Sequence, residues 1–325
     1  MATLIDISKK TGLAVSTVSK YFNGGSVRKY NREKIELALQ EMDYQPNLIA
    51  RSLKTRKTNV YGILIPNLQS SFDINIVSLI IKELSKRGYG TIVSLYESKK
   101  NEAKGFASLR DEQVDGIIIL PSGKYDPVFQ NFINSGKKLV AIDRPIENLP
   151  ISTVITNNYE ISCKALQKLV DAGHRCIAII TDSSVYTGSE RLRAYKDVME
   201  KNKIELNEAY IKDTAWSINY GRRFMTEILE KQPEITALFI CSEEFTIGCY
   251  QVINEKGLSV PHDISVISFD LYGFSSMLTP TISAIYQPLS KMSKCAVDIL
   301  LSDENEAKSH VFPANIISEN TIRKL

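Results

Sequence analysis

From residue 60 onwards, short apolar runs alternate with longer stretches of helical periodicity. The apolar runs are VYGILIP, TIVSL, GIIIL, KLVAID, CIAII, TALFI and ISVISFD, and the helical stretches between many of them include residues 74–87, 158–172, 190–202, 219–231 and 245–257. Alternation of strand and helix is typical of βαβ units, in which helices cover both faces of a parallel sheet. The sequence therefore predicts an α/β core of doubly wound sheets.

The apolar runs fall into two groups, before and after about residue 157, which predicts two similar halves. Ligands of such sheets bind beyond the carboxyl ends of the strands, so a ligand of two facing halves lies in the cleft between them. Asp143 and Asp270 each end an apolar run, where a carboxylate can point into that cleft. For Asp143, a simple pair with the adjacent Arg144 is the alternative.

The first 45 residues predict three short helices. Thr3 and Asp6 form a variant of the capping box that starts the first helix, and Gly12 is suited to its left-handed end. The second helix runs from about Val15 to Phe22. The third runs from about Asn31 to Met42, with apolar residues at the spacing of one buried face.

The second predicted helix, within GLAVSTVSKYFNGG, combines small hydroxyl side chains with one cation. Val18 and Phe22 lie four residues apart and supply its buried side. Its outer side carries Ser16, Thr17, Ser19 and Lys20. A helix, a tight turn with glycine and a second helix is the helix-turn-helix layout, in which the second helix enters the major groove of DNA. An αα-hairpin inside a larger helical domain is the alternative.

Positive charge is concentrated at the N-terminus. Residues 1–60 carry 11 Lys and Arg against 5 Asp and Glu, whereas the rest of the chain carries 29 against 32. A small basic module joined to a mildly acidic body indicates a polyanionic partner for the module alone. A basic solvated surface is the alternative, but the charge agrees with DNA binding by the predicted helices.

Other classes of protein find little support in the sequence. The five cysteines are scattered without a CxxC pair, which fits a reducing compartment and argues against a disulfide framework or a zinc site. No leader begins the sequence and no apolar run approaches the ~20 residues that span a bilayer, so we expect a cytoplasmic protein. GxSxG, GxGxxG, P-loop and HExxH motifs are absent, so we predict neither enzymatic activity nor a metal or other cofactor.

An ordered set of motifs runs through nearly the whole chain. It begins with TLIDISKKTGLAVSTVSKYFNG and NREKIELALQEMDYQPNLIARSLKT and continues with VYGILIPN, VDGIIILPS, LVAIDRP, LVDAGHRCIAII, ERLRAY, GLSVPHDISVISFD and TPTISAIYQP. This set resembles the lactose-repressor/galactose-repressor (LacI/GalR) family of bacterial transcriptional regulators. The resemblance implies an all-α helix-turn-helix domain over residues 1–45, a hinge helix and linker over 46–59, and a periplasmic-binding-protein-like core over 60–325.

The same resemblance divides the core into two doubly wound α/β subdomains. The first comprises about residues 60–157 and a return near residues 289–320. The second comprises about residues 158–288. Three crossovers join the two, and an effector is expected in the cleft between them.

The resemblance also assigns two kinds of DNA contact. Val15, Ser16 and Lys20 match the base-facing positions of the recognition helix, with Lys20 in place of the usual arginine. Thr3, Thr17, Ser19, Asn23, Tyr44 and Asn47 match positions that anchor the DNA backbone. Leu53 matches the residue that presses into the minor groove, and Ala50 is small enough for two hinge helices to approach each other. Without the resemblance, Leu53 is an ordinary apolar residue on an amphipathic linker.

The effector site implied by the resemblance consists of Phe72, Asp143, Arg191, Trp216, Ser242 and Asp270. Trp216, the only tryptophan in the sequence, offers a ring that stacks on a sugar or a base. Arg191 offers a fork of donors to hydroxyls, a carboxylate or a phosphate. A tryptophan that caps a helix and an arginine in a salt bridge at a helix start are the alternatives. Departures from the family pattern at Asp73, Asn157, Glu243 and Leu271 leave the ligand open, including a partner protein in its place.

These features predict a homodimeric transcriptional regulator that binds operator DNA and responds to a small effector. We expect a repressor, and we expect the effector to be a sugar or a related metabolite that acts either as an inducer or as a corepressor. A sugar-binding receptor-type protein without a role on DNA is the alternative. That alternative predicts an export leader and no basic N-terminal module.

Overall fold

The computed structural model describes residues 3–22, 25–42, 57–273, 280–304, 306–317 and 320–325. The chain separates into two compact units, residues 1–58 and 59–325. The described helices of the N-terminal unit are α1 (Leu4–Thr11), α2 (Val15–Phe22) and α3 (Lys29–Glu41). The predicted second helix is confirmed with its bounds, whereas α3 begins two residues earlier than predicted.

A small apolar core holds the three N-terminal helices together. Ile7 of α1, Val18 of α2, and Ile35 and Ala38 of α3 are buried at its centre. The predicted capping box of α1 is confirmed: the Asp6 N–H donates to the Thr3 hydroxyl at 3.3 Å, and the Thr3 N–H donates to the Asp6 carboxylate at 2.9 Å. These local bonds fix the start of α1, and Gly12, with φ of +68°, ends it as predicted.

The described residues of the larger unit form twelve strands, eight α-helices and a short 3₁₀ helix at Glu208–Tyr210. The strands are β1 (Val60–Ile65), β2 (Gly90–Leu95), β3 (Gly116–Ile119), β4 (Lys138–Ile142), β5 (Ser152–Thr156), β6 (Ile177–Thr181), β7 (Ile211–Asp213), β8 (Ala237–Ile240), β9 (Ser265–Phe269), β10 (Ser283–Tyr286), β11 (Ser309–Phe312) and β12 (Asn315–Ile317). The helices are α4 (Ser71–Lys86), α5 (Glu102–Asp111), α6 (Pro127–Asn134), α7 (Asn158–Asp171), α8 (Tyr186–Lys201), α9 (Ile218–Lys231), α10 (Glu243–Glu255) and α11 (Leu289–Leu301).

Two six-stranded sheets organise this unit. The first has the order β11-β5-β4-β3-β1-β2 and is parallel throughout. The second has the order β12-β10-β9-β8-β6-β7 and is parallel except for its edge strand β12. Strands β3, β8 and β9 are buried along their whole length, which explains why they are nearly unbroken apolar runs.

Helices cover both faces of each sheet. Helices α4 and α11 share an apolar cluster with one face of the first sheet, and α5 and α6 share another with the opposite face. Helices α9 and α10 cover one face of the second sheet, and α7 and α8 cover the other. We call the first sheet with its four helices lobe one and the second sheet with its four helices lobe two. The predicted doubly wound α/β core is confirmed.

Three short connections join the lobes, at Asn157, at residues 287–288 and at residues 313–314. The Asn157 side-chain oxygen accepts a hydrogen bond from the Ala314 N–H at 2.8 Å, which ties the first connection to the third. The amide of Asn157 itself donates to the Phe312 carbonyl at 3.1 Å. Two of the three connections are therefore hydrogen-bonded to each other.

The C-terminal end of the chain corrects the predicted division of the core. Residues up to about 320 were expected to return to the first subdomain, but β12 pairs with β10 of the second sheet. The Thr321 hydroxyl then donates to the Val266 carbonyl at 2.6 Å, which fastens the terminus to β9. Only β11 joins the first sheet among the described strands of this segment, so lobe two includes the residues after the third connection.

Two glycines allow α9 and α10 to approach each other closely. A Cβ on Gly248 of α10 would overlap the carbonyl oxygen of Ile218, and a Cβ on Gly221 of α9 would overlap the carbonyl oxygen of Phe245. In each case the obstacle is backbone, which cannot swing aside as a side chain can. The helix pair that covers this face of lobe two therefore requires glycine at both positions.

We predict that Gly248→Ala lowers the free energy of unfolding of the core by about 3 kcal/mol, because the added methyl group forces two helices apart. Urea unfolding followed by the fluorescence of Trp216 measures the change. Gly136→Ala is the matched control: it adds the same methyl group in open space at a φ of +82°, at a cost of about 1 kcal/mol. Equal losses for the two variants would contradict the close helix contact.

Candidate effector site and DNA-binding surface

Helix α2 divides its side chains between a buried and an exposed side. Val18 is fully buried, whereas Val15, Ser16 and Lys20 are exposed. Thr17 and Ser19 are half-buried between the two sides. All three residues predicted to face DNA bases therefore lie on the solvent side of one short helix, where they can reach a groove without disturbing the core of the unit.

The other predicted DNA contacts are located only in part. Thr3 is exposed at the start of α1, where its hydroxyl also donates to the Asp6 carboxylate at 2.7 Å. Asn23, Tyr44, Asn47, Ala50 and Leu53 lie outside the described residues.

The residues predicted to bind an effector line one cavity between the lobes, which we call the inner cavity. They are Phe72 and Asp143 of lobe one, and Arg191, Trp216, Ser242 and Asp270 of lobe two. The inner cavity has a volume of only about 20 Å³ and adjoins a wider outer cavity of about 250 Å³. Ser70, Trp216 and Glu244 line both. The outer cavity approaches the ~300 Å³ of the smallest ligand pockets, whereas the inner one has no room for a ligand unless the lobes separate.

Asp143 and Asp270 occupy equivalent positions in the two lobes. Each follows a central strand at its carboxyl end, Asp143 after β4 and Asp270 after β9, and each has a left-handed backbone, with φ of 73° and 61°. The N–H of each donates to the neighbouring strand, to the carbonyl of Val154 or of Ile285, at 2.9 Å. A positive φ is uncommon outside glycine and least unfavourable for Asp and Asn. The fold thus accepts some strain to turn two carboxylates towards the cleft.

Arg191 is bound on all sides by protein groups. Its Nε and Nη2 donate to the Asn158 side-chain oxygen at 3.1 and 2.9 Å, and its Nη1 donates to the Cys241 carbonyl at 2.6 Å. Nη2 also lies 3.8 Å from the Asp270 carboxylate. The guanidinium stacks 3.6 Å from the centre of the Phe269 ring. The hydrogen bonds of Arg191 are therefore made to neutral protein groups, and its salt bridge with Asp270 is the longer contact.

The Asp270 carboxylate is embedded in a network that reaches the second connection between the lobes. It accepts hydrogen bonds from the Tyr272 hydroxyl at 3.0 Å and from the Gln287 side-chain amide at 2.8 Å. Burial raises the pKa of Asp270 to about 6, against the lowering influence of Arg191 and of these two bonds. The Asp270 carboxylate is thus hydrogen-bonded directly to Gln287, where the chain passes from one lobe to the other.

Asp143, on the opposite wall, forms the pair that was its alternative role. The Nε of Arg144 donates to the Asp143 carboxylate at 3.0 Å, and both residues are buried. Arg144 also lies 5.7 Å from the centre of the Trp216 ring, across the cleft in lobe two. Trp216 does not cap α9, because the Ser217 hydroxyl accepts the capping bond from Asn219. The Trp216 Nε1 is buried without a hydrogen-bond partner among the described residues.

Three further cavity residues were not among the predicted site residues. Asp73 is only 6% exposed and lines the outer cavity; burial raises the pKa of its carboxyl to about 7, although Arg144 opposes the shift. Glu244 is half-buried and lines both cavities, and Gln287 is buried beside Asp270. Asp73 had a signal, as a departure from the family pattern, whereas nothing local in the sequence distinguishes Glu244 or Gln287.

Two kinds of site find no place in the part of the chain that the structure describes. Within it, no group of three or more His, Cys, Asp and Glu side chains is arranged to hold a metal ion. None of its helices combines the length and the apolar character needed to cross a bilayer.

A three-helix unit with an exposed polar helix, followed by a two-lobed α/β core with an interlobe cleft, defines the class of DNA-binding regulators that carry a ligand-binding core.

Comparison with known proteins identifies the family. Residues 3–47 match the family described as bacterial regulatory proteins, lacI family, and residues 166–319 match the periplasmic binding protein-like domain. The ribose operon repressor of Haemophilus influenzae is 31% identical over 306 residues, which cover 93% of this chain and 91% of the relative. The chain belongs to the lacI family and is a DNA-binding transcriptional regulator. A receptor-type protein without a role on DNA does not account for the match at residues 3–47.

Solved structures share the fold over the whole chain. A lac repressor dimer bound to operator and an anti-inducer matches with a TM-score of 0.87 over 99% of both chains, at 24% identity. A lacI-family regulator from Enterococcus faecium with bound ribose matches with a TM-score of 0.73 over 82% of this chain and 99% of that one, at 21% identity. At these identities the likeness concerns the fold, and the two-lobed architecture is common to all three.

We predict that Asp73→Asn stabilises the core at neutral pH. The raised pKa of Asp73 means that the folded state holds its proton more tightly than the unfolded chain, so stability falls as pH rises from about 4 to about 7. Asparagine carries no charge and removes this loss. The free energy of unfolding of the variant should exceed that of the wild type by roughly 2–4 kcal/mol at pH 8 and match it near pH 4.

Urea unfolding at both pH values, followed by Trp216 fluorescence, tests the prediction. Asp111→Asn replaces an exposed aspartate and serves as the control, which should stay within about 0.5 kcal/mol of the wild type throughout. If Asp73→Asn gave no more stability at pH 8 than at pH 4, the Asp73 carboxyl would not be a buried charge.

Proposed function

We propose that the protein is a homodimeric repressor that acts in the cytoplasm, binds a pseudo-palindromic operator through two copies of its N-terminal unit, and is controlled by a small metabolite in the interlobe cleft. The observation that carries the DNA-binding half is the exposure of Val15, Ser16 and Lys20 on one helix whose other side is buried. Support for the repressor role comes from the relative named ribose operon repressor. Support for a dimer comes from the fold shared with a lac repressor dimer.

In this proposal α2 lies in the major groove. Val15, Ser16 and Lys20 contact base edges, which carry the sequence information. The hydroxyls of Thr3, Thr17 and Ser19 contact phosphates and fix the register, together with Asn23, Tyr44 and Asn47. Lys20 brings a single charged head where arginine would bring a planar fork, so it reads guanine without a bidentate pair.

The hinge segment contributes the remaining contacts. Leu53 from each subunit presses into the minor groove at the operator centre, and Ala50 lets the paired hinge helices approach. Unstacking a base step costs a few kcal/mol, which the additional contacts along the bent DNA offset. Two copies of the unit then read half-sites about 34 Å apart along the duplex.

The cleft has a binding role in this proposal, without catalysis. Phe72, Asp143, Arg191, Trp216, Ser242 and Asp270 surround the effector. Three short connections let the lobes change their angle, and a ligand that binds one arrangement more tightly shifts the equilibrium towards it. Through the dimer this changes the spacing of the two N-terminal units and hence the affinity for DNA.

We predict that Lys20→Ala reduces the preference for specific over scrambled DNA by between 5-fold and 150-fold, because one base-edge contact is lost. The specific DNA duplex is first obtained by selecting genomic fragments that the wild-type protein retains. Gel shifts at a stated salt concentration then give the affinities for this duplex and for a scrambled one. Lys10→Ala removes the same charge from α1, where Lys10 pairs with Glu41, and should weaken both affinities alike. An unchanged ratio for Lys20→Ala would exclude α2 from the reading of sequence.

We predict that Leu53→Ala reduces the bend of the selected duplex, because the wedge that opens the central base step is gone. A circular-permutation gel, in which the site lies at different positions along one fragment, measures the bend. Leu206→Ala, which shortens an exposed leucine in a loop of lobe two away from the junction, is the control for the loss of apolar volume. A full bend with Leu53→Ala would show that another group kinks the operator.

A further inference from the structure

Acidic side chains outnumber basic ones in the lining of the interlobe cleft. Four carboxylates and two cations line the outer cavity, and four carboxylates and one cation line the inner one, with Glu244 common to both. Low-dielectric walls of one charge sign focus the field inside a cleft and raise the local concentration of ligands of the opposite sign. The acidic lining of the cleft therefore favours the entry of positively charged ligands.

The cations of the cleft are already committed to protein groups. Arg191 donates to Asn158 and Cys241 and faces Asp270, as described above. Arg144 is paired with Asp143. Lys99, at the exposed mouth of the outer cavity, donates to the Ser184 carbonyl and hydroxyl of the other lobe at 2.8 and 3.2 Å. A phosphate or carboxylate of a ligand would have to displace one of these partners.

Three carboxyl groups of the outer cavity, by contrast, are not committed among the described residues; Glu97 is exposed at its rim, whereas Asp73 and Glu244 are buried or half-buried. Asp73 of lobe one and Glu244 of lobe two both line the outer cavity, and neither has a hydrogen-bond or ion-pair partner within the described ranges. Asp73 is more than nine-tenths buried, so its carboxylate is costly to keep without a donor. The side-chain oxygen of Gln287, Oε1, is likewise buried beside the inner cavity and accepts no hydrogen bond in the described part of the chain.

The carboxylates of Asp73 and Glu244 and the side-chain oxygen of Gln287 therefore require hydrogen-bond donors from the ligand. An ammonium group has three N–H donors and no acceptor, and its charge compensates a buried carboxylate. Hydroxyl groups supply donors to Gln287, and they also accept from the Trp216 Nε1, the unpartnered donor of the cleft. The Trp216 ring lines both cavities and offers an apolar face to the ring of a sugar.

We propose that the effector is a polyhydroxylated amine of the amino-sugar class, with its ammonium between Asp73 and Glu244. This inference rests on the proposed function, because it concerns the same cleft. It makes Asp73 and Glu244 the residues that determine specificity. Sugar phosphates and sugar acids are rejected by the uncompensated carboxylates, and neutral sugars leave Asp73 without a counter-charge.

The charge class of the effector can be tested before its identity is known. Small molecules extracted from the source bacterium are separated on ion exchangers into cationic, neutral and anionic fractions. Each fraction is added to the full-length protein, and thermal unfolding and binding to the selected duplex are measured, since a bound ligand raises the melting temperature by mass action. D-glucosamine, D-galactosamine and D-mannosamine are tested beside their N-acetyl and 6-phosphate forms.

We expect the cationic fraction to raise the melting temperature and to change DNA binding, and the other two fractions to do neither. An effect confined to the neutral or the anionic fraction would overturn the inference and leave the proposed function intact. If no fraction affected either measurement, both would fall. Among the pure compounds, stabilisation by an N-acetylated or phosphorylated form in preference to the free amine would likewise overturn the inference.

Variants separate a binding role from a structural one. Asp73→Asn and Glu244→Gln should each weaken binding of the active fraction, or of the active amine, by at least tenfold, while the unliganded protein remains folded. Asp111→Asn should bind as the wild type does. Binding that is unchanged in both cleft variants would show that the ligand does not use these carboxylates.

Discussion

The junction between the lobes is the constraint on which the rest of the core depends. The chain crosses it three times, and the bond between Asn157 and Ala314 ties two of the crossings together. The second connection is held by Tyr272, whose hydroxyl accepts from the Gln287 N–H at 3.0 Å. The Tyr272 side chain packs against the apolar residues of lobe one. Because Tyr272 also donates to Asp270, the junction is bonded to the wall of the cleft. A ligand that contacts Asp270 therefore acts on the point about which the lobes turn.

The cleft keeps groups that a purely structural core would avoid. Buried carboxylates lower stability unless they are paired, and the left-handed backbones of Asp143 and Asp270 add strain. Some of this cost is offset within the protein by Arg144 and Arg191. Asp73 is offset least, since its pKa is raised to about 7 with only the field of Arg144 in its favour. Residues that lower stability without a structural return are typical of binding sites, where the ligand supplies the missing partner.

The sequence was most informative where structure is set by local bonds. The capping box of Thr3, the left-handed end at Gly12 and the helix from Val15 to Phe22 depend on neighbours within a few residues. Period and alternation likewise predicted the doubly wound core, because burial on both faces leaves a repeated pattern. Strand β12 was missed since it has three residues, lies on an edge and depends on pairing with a strand some thirty residues away in sequence.

The cleft residues show a second limit. The six predicted residues do meet around one cavity, but the partners of Arg191 and the burial of Asp73 arise only when both lobes are assembled. A residue type indicates that a side chain can donate or accept, and the fold decides whether the protein has already used that capacity. This is why the sequence presented Arg191 as a donor to hydroxyls, a carboxylate or a phosphate, whereas in the structure its donors are already used by protein groups.

The small size of the N-terminal unit explains why the core must act as more than a sensor. Among its described residues, the buried apolar centre consists of four side chains, and in the proposed function α2 presents three residues to a groove. A few base contacts, each worth about 1–3 kcal/mol, do not distinguish one site from a genome of competitors. Two units held at a fixed spacing add their contacts, because binding of the first raises the effective concentration of the second. In the proposed function, a core that alters this spacing changes the affinity for DNA without changing any DNA contact, so a modest rotation of the two lobes would be enough to regulate binding.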